Sequence, residues 1–203
     1  MLNKIYAYLM NSLNILKWKF RVFILFILPN SFKIFRKQVV LTSNYPEFQQ
    51  KTKITGIGKV FMGNNCSFGY RLGGYNKYGL IEIQARYKKA IIKIGDNVST
   101  NNNLFFCSAN YIEIGSNTLI GLNVVILDHE AHGIHPNDRM KLGPIGEVII
   151  GKNVWIGNNV TILKDSKIGD NSIVALGSVV SGIFPSNVII GGIPAKIIRK
   201  IDV

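Results

Sequence analysis

The sequence predicts an all-β solenoid that is preceded by an N-terminal α-helix and interrupted by one protruding loop. Three observations predict this fold: a six-residue repeat over residues 150–180, a helical pattern over residues 3–28, and a break in the repeat at residues 127–149. A period of six fits neither an α-helix nor the two-residue alternation of an ordinary strand. It is typical of a solenoid in which three short strands make one triangular coil.

Isoleucine or valine marks the repeat at every sixth position. The markers are Ile150, Ile156, Ile162, Ile168, Val174 and Val180. Four places after a marker comes a small or β-branched residue, at Val154, Val160, Ser166, Ser172 and Ser178. We expect both sets to point into the coil. We expect Gly and Asn in the turns, because turns need backbone angles that other residues resist.

The solenoid is predicted to occupy residues 39–203. Residues 39–93 form early, irregular coils, and a Gly- and Tyr-rich loop at Arg71–Gly79 protrudes from them, with tyrosines that could stack on a sugar. The six-residue period becomes regular at Ile94. We expect the coils to end near Val180, after which residues 181–203 add one strand and a short basic tail.

Residues 1–38 are predicted to form a basic, amphipathic helical segment. Apolar residues recur at alternating spacings of three and four from Tyr6 to Ile27, and Pro29-Asn30 ends the pattern. Its longest apolar run is too short to cross a bilayer and no cleavage site follows it, so we expect neither a spanning helix nor an exported signal peptide. The segment either packs on the solenoid or a neighbouring subunit, or lies in a membrane interface with its lysines toward the headgroups.

The net charge indicates which ligands the protein can bind, and the spacing of the cysteines bears on metal binding. The formal net charge is +13, of which residues 1–53 carry +8. Such a block suits anionic lipid or a phosphorylated ligand, whereas nucleic acid is not expected because no known reader motif accompanies it. Cys66 and Cys107 lack metal-ligand spacing and are expected to be buried small hydrophobes in a reducing compartment.

The break in the repeat, residues 127–149, contains every histidine of the chain. It is too long for a coil to absorb, so we expect it to loop out from the body. Loops of this size on a rigid scaffold are usually functional.

Three segments carry a resemblance to a known family. They are Asn153-Val154-Trp155-Ile156-Gly157, then Ala175-Leu176-Gly177-Ser178-Val179-Val180, then Gly192-Ile193-Pro194-Ala195-Lys196. Together with the preceding histidine loop, and in this order, they resemble the hexapeptide-repeat acyltransferases, which include galactoside, maltose and serine O-acetyltransferases. The resemblance implies a left-handed parallel β-helix, a homotrimer, and acetyl-CoA as acyl donor in the groove between neighbouring solenoids.

The resemblance also implies a catalytic base in the loop. His132 matches the family's pattern of acid-x-acid-x-His followed seven residues later by Arg, here Arg139. Histidine suits the role because it can accept a proton from a hydroxyl near neutral pH. Asp128 or Glu130 would hold its second ring nitrogen. His129 and His135 remain alternatives for the base.

The same resemblance proposes the substrate contacts. Asn101 matches the acceptor-binding asparagine, with Asn103 as the alternative, and either could instead serve in a solenoid turn. The positions that match cofactor contacts are Trp155, Asn158, Leu176, Ser181, Lys196 and Arg199. Trp155 could instead pack in the trimer, and the two tail cations could be solvated.

The expected function is acetyl-CoA-dependent O-acetylation of a sugar hydroxyl, and these motifs do not specify which sugar is the acceptor. A basic apolar helix before such a solenoid resembles enzymes of surface polysaccharide biosynthesis. An N-acetyltransferase on an amino-sugar nucleotide, a zinc enzyme like the γ-carbonic anhydrases and a non-catalytic scaffold are the alternatives. The proposed chemistry requires no metal. The expected location is cytoplasmic, with peripheral contact at the inner face of the membrane left open.

Overall fold

The chain winds into a three-sided prism of stacked parallel strands, with helix at its N-terminal end. A computed structural model describes residues 2–42, 45–73, 76 and 78–202, with side chains of the first helix described from residue 10. The helical part comprises α1 (Leu2–Val22), a π-helical turn (Phe23–Ile27) and α2 (Leu28–Phe35).

The strands fall into three sheets, one for each side of the prism. Sheet one contains, in spatial order, β1 (Val39–Leu41), β4 (Lys59–Met62), β7 (Ile91–Ile94), β10 (Tyr111–Ile114), β13 (Glu147–Ile150), β16 (Ser166–Ile168) and β19 (Ile183–Phe184). Sheet two contains β2 (Glu47–Phe48), β5 (Ser67–Phe68), β8 (Ser99–Thr100), β11 (Leu119–Ile120), β14 (Trp155–Ile156), β17 (Ile173–Val174), β20 (Val188–Gly192) and β21 (Ala195–Lys200). Sheet three contains β3 (Thr52–Gly56), β6 (Ile81–Ala85), β9 (Phe105–Ser108), β12 (Val125–Leu127), β15 (Thr161–Ile162) and β18 (Val179–Val180).

The six-residue repeat has the predicted structural meaning. Its markers lie in register one coil above another, as where Ile150 pairs with both Ile114 and Ile168. Every marker from Ile150 to Val180 is buried, and so are the small residues four places later. The buried serines hydrogen-bond to backbone carbonyls, as Ser166 does to Val180 at 3.2 Å. A single apolar core therefore runs along the axis of the prism.

Asparagine makes the turns at two of the three corners. The backbone of these residues has a positive φ, which asparagine tolerates better than other residues with a β-carbon. They stack from coil to coil, and the amide of Asn97 donates to Asn117 at 3.0 Å and that of Asn153 to Asn171 at 2.9 Å. The prediction that Asn and Gly occupy the turns is confirmed.

The prediction that the helix ends at Pro29-Asn30 is wrong, because helix continues to Phe35. Proline is tolerated because the turn before it is π-helical, in which the Leu28 N–H bonds to the Phe23 carbonyl. Pro29 then lies in the first turn of α2, where a missing N–H costs nothing. Of the predicted apolar face, the side chains of Tyr6 and Leu9 lie outside the described residues.

The helical segment covers the open end of the solenoid core. Phe26 is fully buried and stacks on Phe48 with 4.2 Å between ring centroids, and Phe48 stacks in turn on Phe68. Asn30 is buried too, donating to the Thr52 carbonyl at 2.7 Å and accepting from the Ile54 N–H at 2.6 Å. These bonds pair the edge of β3, which would otherwise expose unpaired backbone groups.

The coils do not end near Val180 as predicted. β19 and β20 pair in parallel with β16 and β17, so the solenoid continues, and β21 then folds back antiparallel on β20. The early segment is also more regular than predicted, because β1 to β7 belong to the same three sheets. Within the predicted loop at Arg71–Gly79, residues 74, 75 and 77 lie outside the described residues. The division at residue 38 stays a prediction.

None of the helices in the described part of the chain combines the length and hydrophobicity needed to cross a bilayer.

Candidate functional site

The histidine loop leaves the prism between β12 in sheet three and β13 in sheet one. The outgoing segment at residues 130–133 and the returning segment at residues 141–144, the two arms of the loop, are joined by backbone hydrogen bonds. These bonds run from the Glu130 N–H to the Pro144 carbonyl, from the Gly143 N–H to the Glu130 carbonyl, and from the Gly133 N–H to the Lys141 carbonyl, at 2.9 to 3.1 Å. A β-carbon at Gly143 would overlap the backbone oxygen of His132, so the arms approach this closely only with glycine there. The loop therefore has a defined conformation.

His132 lies exposed on this loop with one ring nitrogen engaged. Its Nδ1 is 2.6 Å from the backbone carbonyl oxygen of Arg139. A carbonyl oxygen can only accept, so Nδ1 must carry the proton. In the neutral ring Nε2 then holds the lone pair, and it has no hydrogen-bond partner among the described residues. This tautomer is the one that a general base needs.

His129 is buried, and both of its ring nitrogens are engaged. Nδ1 lies 2.9 Å from the Asp128 carboxylate, and Nε2 lies 3.1 Å from the guanidinium of Arg86. Because the guanidinium can only donate, it occupies the lone pair of Nε2. His129 therefore stabilises the base of the loop through these two contacts and offers no free lone pair to a substrate.

His135 and the two acidic residues are also placed. His135 is exposed, and its Nδ1 accepts from the N–H of Asn137 at 3.3 Å. The expectation that Asp128 or Glu130 holds the second nitrogen of His132 is wrong, since the Arg139 carbonyl does so. Asp128 instead anchors the base of the loop. Its buried carboxylate accepts from the Ser108 hydroxyl and from the backbone N–H groups of residues 109 and 110, at 2.6 to 2.9 Å.

A cleft beside the base of the loop contains His129, Glu130, Lys164 and the predicted cofactor contact Ser181. Its volume is about 330 Å³. Lys164 contacts Asp165 at 3.1 Å and Glu130 at 3.7 Å across the cleft.

A second cleft, of about 270 Å³, lies on sheet two and contains the predicted acceptor residue Asn101. Tyr70, Trp155 and Asn158 also line it. Asn101 accepts from the N–H of Asn102 at 2.8 Å, and its side-chain amide nitrogen has no bond to protein among the described residues. Its amide N–H groups are thus available to a ligand in the cleft.

The alternative acceptor residue, Asn103, makes a turn of the solenoid and is hydrogen-bonded to Gln50. It has a positive φ at the turn, its N–H donates to Gln50 at 2.7 Å, and its side-chain oxygen accepts from Gln50 at 3.0 Å. Of the two asparagines, Asn103 makes the turn and Asn101 faces the cleft.

A third, largely apolar cleft of about 280 Å³ adjoins the second and shares Trp155 and Asn158 with it. Trp155 is 56% exposed and Leu176, on the same wall, is 76% exposed. Lys196 and Arg199 are exposed on β21, in the same sheet. Three of the six predicted cofactor contacts, Trp155, Asn158 and Leu176, therefore line one cleft. Lys196 and Arg199 lie on the same sheet, whereas Ser181 lines a different cleft.

The two cysteines are buried and make no disulfide. Burial raises the pKa of the Cys66 thiol, and it raises the pKa of Cys107 to about 11. Both thiols are therefore protonated near neutral pH and behave as the predicted small hydrophobes. In the described residues, no three or more His, Cys, Asp or Glu side chains are grouped so that they could hold a metal ion.

Sequence reasoning missed three side chains that contribute to these sites: Arg86, Ser108 and Tyr70. Arg86 meets His129 across 43 positions, and Ser108 meets Asp128 across 20. Neither separation follows from the six-residue period alone, because inserted loops shift the count between coils. The carbonyl of Arg139 was also missed, since the backbone of any residue could have served.

The chain is similar to known proteins in both sequence and structure. Residues 147–182 match the family described as bacterial transferase hexapeptide (six repeats). WbbJ of Escherichia coli, whose name describes it as an O-acetyl transferase of lipopolysaccharide biosynthesis, is 37% identical over 56% of this chain and 63% of its own length. The galactoside O-acetyltransferase of the same organism is 40% identical over 55% of each chain.

Among solved structures, a hexapeptide-repeat acetyltransferase from Vibrio cholerae superposes with a TM-score of 0.53 at 33% identity. That match covers 55% of this chain and 64% of the other. A structure of the Vibrio protein with acetyl-coenzyme A matches 91% of this chain with a TM-score of 0.54 at 22% identity. The solenoid is therefore a left-handed β-helix of hexapeptide repeats, and its resemblance to the hexapeptide-repeat acyltransferases is confirmed. The chain spans between half and two thirds of the length of the curated relatives named here.

Proposed function

We propose that this protein is an acetyl-CoA-dependent O-acetyltransferase that acts on a sugar hydroxyl, with His132 as general base. The observation that carries the proposal is the tautomer of His132, because the Arg139 carbonyl fixes the proton on Nδ1 and leaves the Nε2 lone pair available. The names of both curated relatives support acetyl transfer to oxygen.

The clefts fit the acyl donor that we propose. The apolar cleft at Trp155 and Leu176 suits a pantetheine arm, and Lys196 and Arg199 suit nucleotide phosphates. When bound, acetyl-CoA supplies an activated acetyl thioester. His132 takes the proton of the acceptor hydroxyl on Nε2 while the hydroxyl oxygen forms a bond to the acetyl carbon. His132 then returns that proton to the sulfur as the carbon–sulfur bond breaks.

We further propose that the site is completed between copies in a homotrimer. His132 is on a loop at the corner between sheets three and one, whereas the clefts that contain Asn101 and Trp155 lie on sheet two. No cleft found in the described residues contains both His132 and Trp155. A neighbouring prism could bring its loop to the sheet-two clefts.

The test is thiol release from acetyl-CoA in the presence of bacterial surface glycans. We expect His132→Ala to lower kcat by about 10²- to 10⁴-fold, since this is what a positioned base contributes. Affinity for CoA should remain. His135→Ala, on the same loop, is the matched control and should retain activity. An unchanged kcat in His132→Ala would exclude this base, and a panel of amino-sugar nucleotides separates O-transfer from N-transfer.

We propose in addition that residues 3–37 bind an anionic membrane surface. Residues 18–35 pack on the solenoid with one face, while an apolar stripe on the other stays exposed: Leu16, Phe20, Phe23, Leu28, Phe32 and Phe35. Lys17, Lys19, Arg36 and Lys37 are exposed around it, and the first acidic residue of the chain is Glu47. Apolar side chains surrounded by cations suit the headgroup region of anionic lipid, where each cation contributes about 1 kcal/mol.

Sedimentation with vesicles tests the membrane proposal. We expect the protein to pellet with phosphatidylglycerol–phosphatidylcholine vesicles at low salt and to be released at high salt. Lys17→Gln with Lys19→Gln should weaken this binding, as should Phe20→Ser with Phe32→Ser. Equal binding to pure phosphatidylcholine, or none to either vesicle, would contradict the proposal.

A further inference from the structure

One aromatic side chain in the Asn101 cleft has no part in the chemistry proposed above. Tyr70 is 52% exposed and lines this cleft together with Asn101, Trp155 and Asn158. It lies two residues after the end of β5, at the point where the chain leaves the coil for the loop at Arg71–Gly79. A half-exposed aromatic ring in a cleft with polar side chains is typical of a ligand site.

The backbone of Tyr70 is held from both sides by a buried side chain. The Asn102 oxygen accepts from the Tyr70 N–H at 2.7 Å, and the Asn102 nitrogen donates to the Tyr70 carbonyl at 3.0 Å. Asn102 itself is fully buried. The preceding Gly69 has a φ of +90° and donates its N–H to Thr100 at 3.2 Å. Tyr70 is therefore fixed on the same corner of the prism that presents Asn101.

The loop beyond Tyr70 is fastened to this corner too. Gln50 donates to the carbonyl of Asn76 at 2.6 Å while its oxygen accepts from the N–H of Asn103. Gly73 donates its N–H to the Tyr70 carbonyl, and a β-carbon there would overlap the Asn102 amide. A surface held in its binding conformation loses less entropy when a ligand binds.

We propose that Tyr70 is a stacking platform for one sugar ring of an oligosaccharide acceptor, a role that rests on the proposed function. The C–H groups on one face of a pyranose carry partial positive charge and are attracted to the negative face of an aromatic ring. Hydroxyls at the edge of the same sugar then suit amide groups such as that of Asn101. Tyr70 binds and orients the acceptor and takes no proton.

The spacing along sheet two defines the acceptor as longer than one sugar. Tyr70 follows β5 and Trp155 lies in β14, three strands further along the sheet. At about 4.8 Å for each strand, the backbones of the two residues are separated by about 14 Å along the axis. Trp155 also borders the apolar cleft proposed for the acyl donor. The sugar on Tyr70 is therefore a unit other than the one that receives the acetyl group.

Glycan binding without acetyl-CoA tests this platform apart from catalysis. Wild type, Tyr70→Ala, Tyr70→Phe and Tyr87→Ala are applied to an array of bacterial surface polysaccharides and their oligosaccharides. We expect Tyr70→Ala to lose about tenfold in affinity for oligosaccharides, and Tyr70→Phe to keep most of it because the ring is retained. Tyr87 is exposed at a different corner, so Tyr87→Ala should bind like wild type.

The outcomes separate this inference from the proposed function. Tyr70-dependent glycan binding without thiol release would keep the platform and contradict the acetyl transfer. Thiol release with equal affinities in wild type and Tyr70→Ala would overturn the platform alone, as would a wild type that binds no glycan. Melting temperatures of the variants show whether a loss reflects unfolding.

Discussion

At the scale of single residues, a tyrosine–glutamate pair on sheet one links stability to pH. The Tyr111 hydroxyl donates to Glu113 at 2.6 Å, and Lys93 contacts the same carboxylate at 2.9 Å. Burial, and then this hydrogen bond, raises the pKa of Tyr111 to about 12. The same bond is the main reason why the pKa of Glu113 is lowered. Folding therefore favours the neutral tyrosine and the charged glutamate.

Replacing Tyr111 by Phe tests this linkage. A pKa raised above its ordinary value of 10 means that the contribution of Tyr111 is complete below pH 10 and is lost as the pH rises toward 12. We expect Tyr111→Phe to cost about 0.5–1.5 kcal/mol near neutral pH through the lost hydrogen bond. The difference from wild type in free energy of unfolding should shrink between pH 10 and pH 12. Denaturant titrations measure it, with Tyr87→Phe as control, and a constant difference would contradict the prediction.

Single residues also show where sequence reasoning reached its limit at the site. The sequence located three histidines in one loop and two candidate asparagines on one coil. Selecting among them depends on what each side chain meets: a carbonyl at His132, Arg86 at His129, and Gln50 at Asn103. These partners come from other coils or from the backbone, so residue type and spacing could not supply them.

At the scale of elements, an aromatic stack is the most deeply buried contact between the N-terminal helix and the solenoid. Phe26 is fully buried between the helix and the first coil, on the ring of Phe48. We expect Phe26→Ala to cost about 3–5 kcal/mol, which is usual for a buried phenylalanine. The helix should then detach before the solenoid unfolds, because Phe26 is its largest fully buried side chain and most of its other apolar contacts with the core are only partly buried.

Limited proteolysis measures this detachment. Cleavage within residues 18–35 should accelerate in Phe26→Ala, while the solenoid remains resistant. Phe20→Ala removes an exposed ring from the same helix and is the matched control. Equal cleavage in the two variants would contradict the role of the stack.

The histidine loop is anchored at its base by Asp128. Its carboxylate accepts from Ser108, from two backbone N–H groups and from His129, without exposure to solvent. Asp128→Ala leaves several buried donors unpaired, at about 1–3 kcal/mol for each. We expect kcat to fall although His132 is unchanged, with affinity for CoA kept. Asp165→Ala changes an exposed acid near the same cleft and should have little effect on kcat; equal losses would show that Asp128 has no special role.

Elements differ in how far the sequence predicted them. The repeat predicted the coils from Ile94 onward because each inward-pointing marker pairs with the equivalent marker of the next coil, so the same residue type recurs at a fixed spacing. The helix end was missed because a π-turn admits Pro29, and such a turn has no sequence signal of its own. The strand at Val188 was predicted, but its place in a further coil, together with β19, was missed because Pro185 interrupts the period before the inward positions resume.

At the scale of the whole molecule, the proposed site requires two copies of the chain. One copy supplies His132 on its loop, and its neighbour supplies the clefts around Trp155 on sheet two. In a cyclic trimer each site lies between a different pair of chains. A chain that lacks His132 can therefore still lend its clefts to a neighbour that has it.

Mixing two inactive variants tests this arrangement. His132→Ala and Trp155→Ala are unfolded together, mixed in equal amounts and refolded. Random assembly should restore about one quarter of the sites, because a site works when its loop comes from Trp155→Ala and its clefts come from His132→Ala. Each variant refolded alone is the control and should stay inactive. If the mixture also stays inactive although mixed trimers form, the histidine and the clefts act within one chain, and the proposed site between copies is wrong.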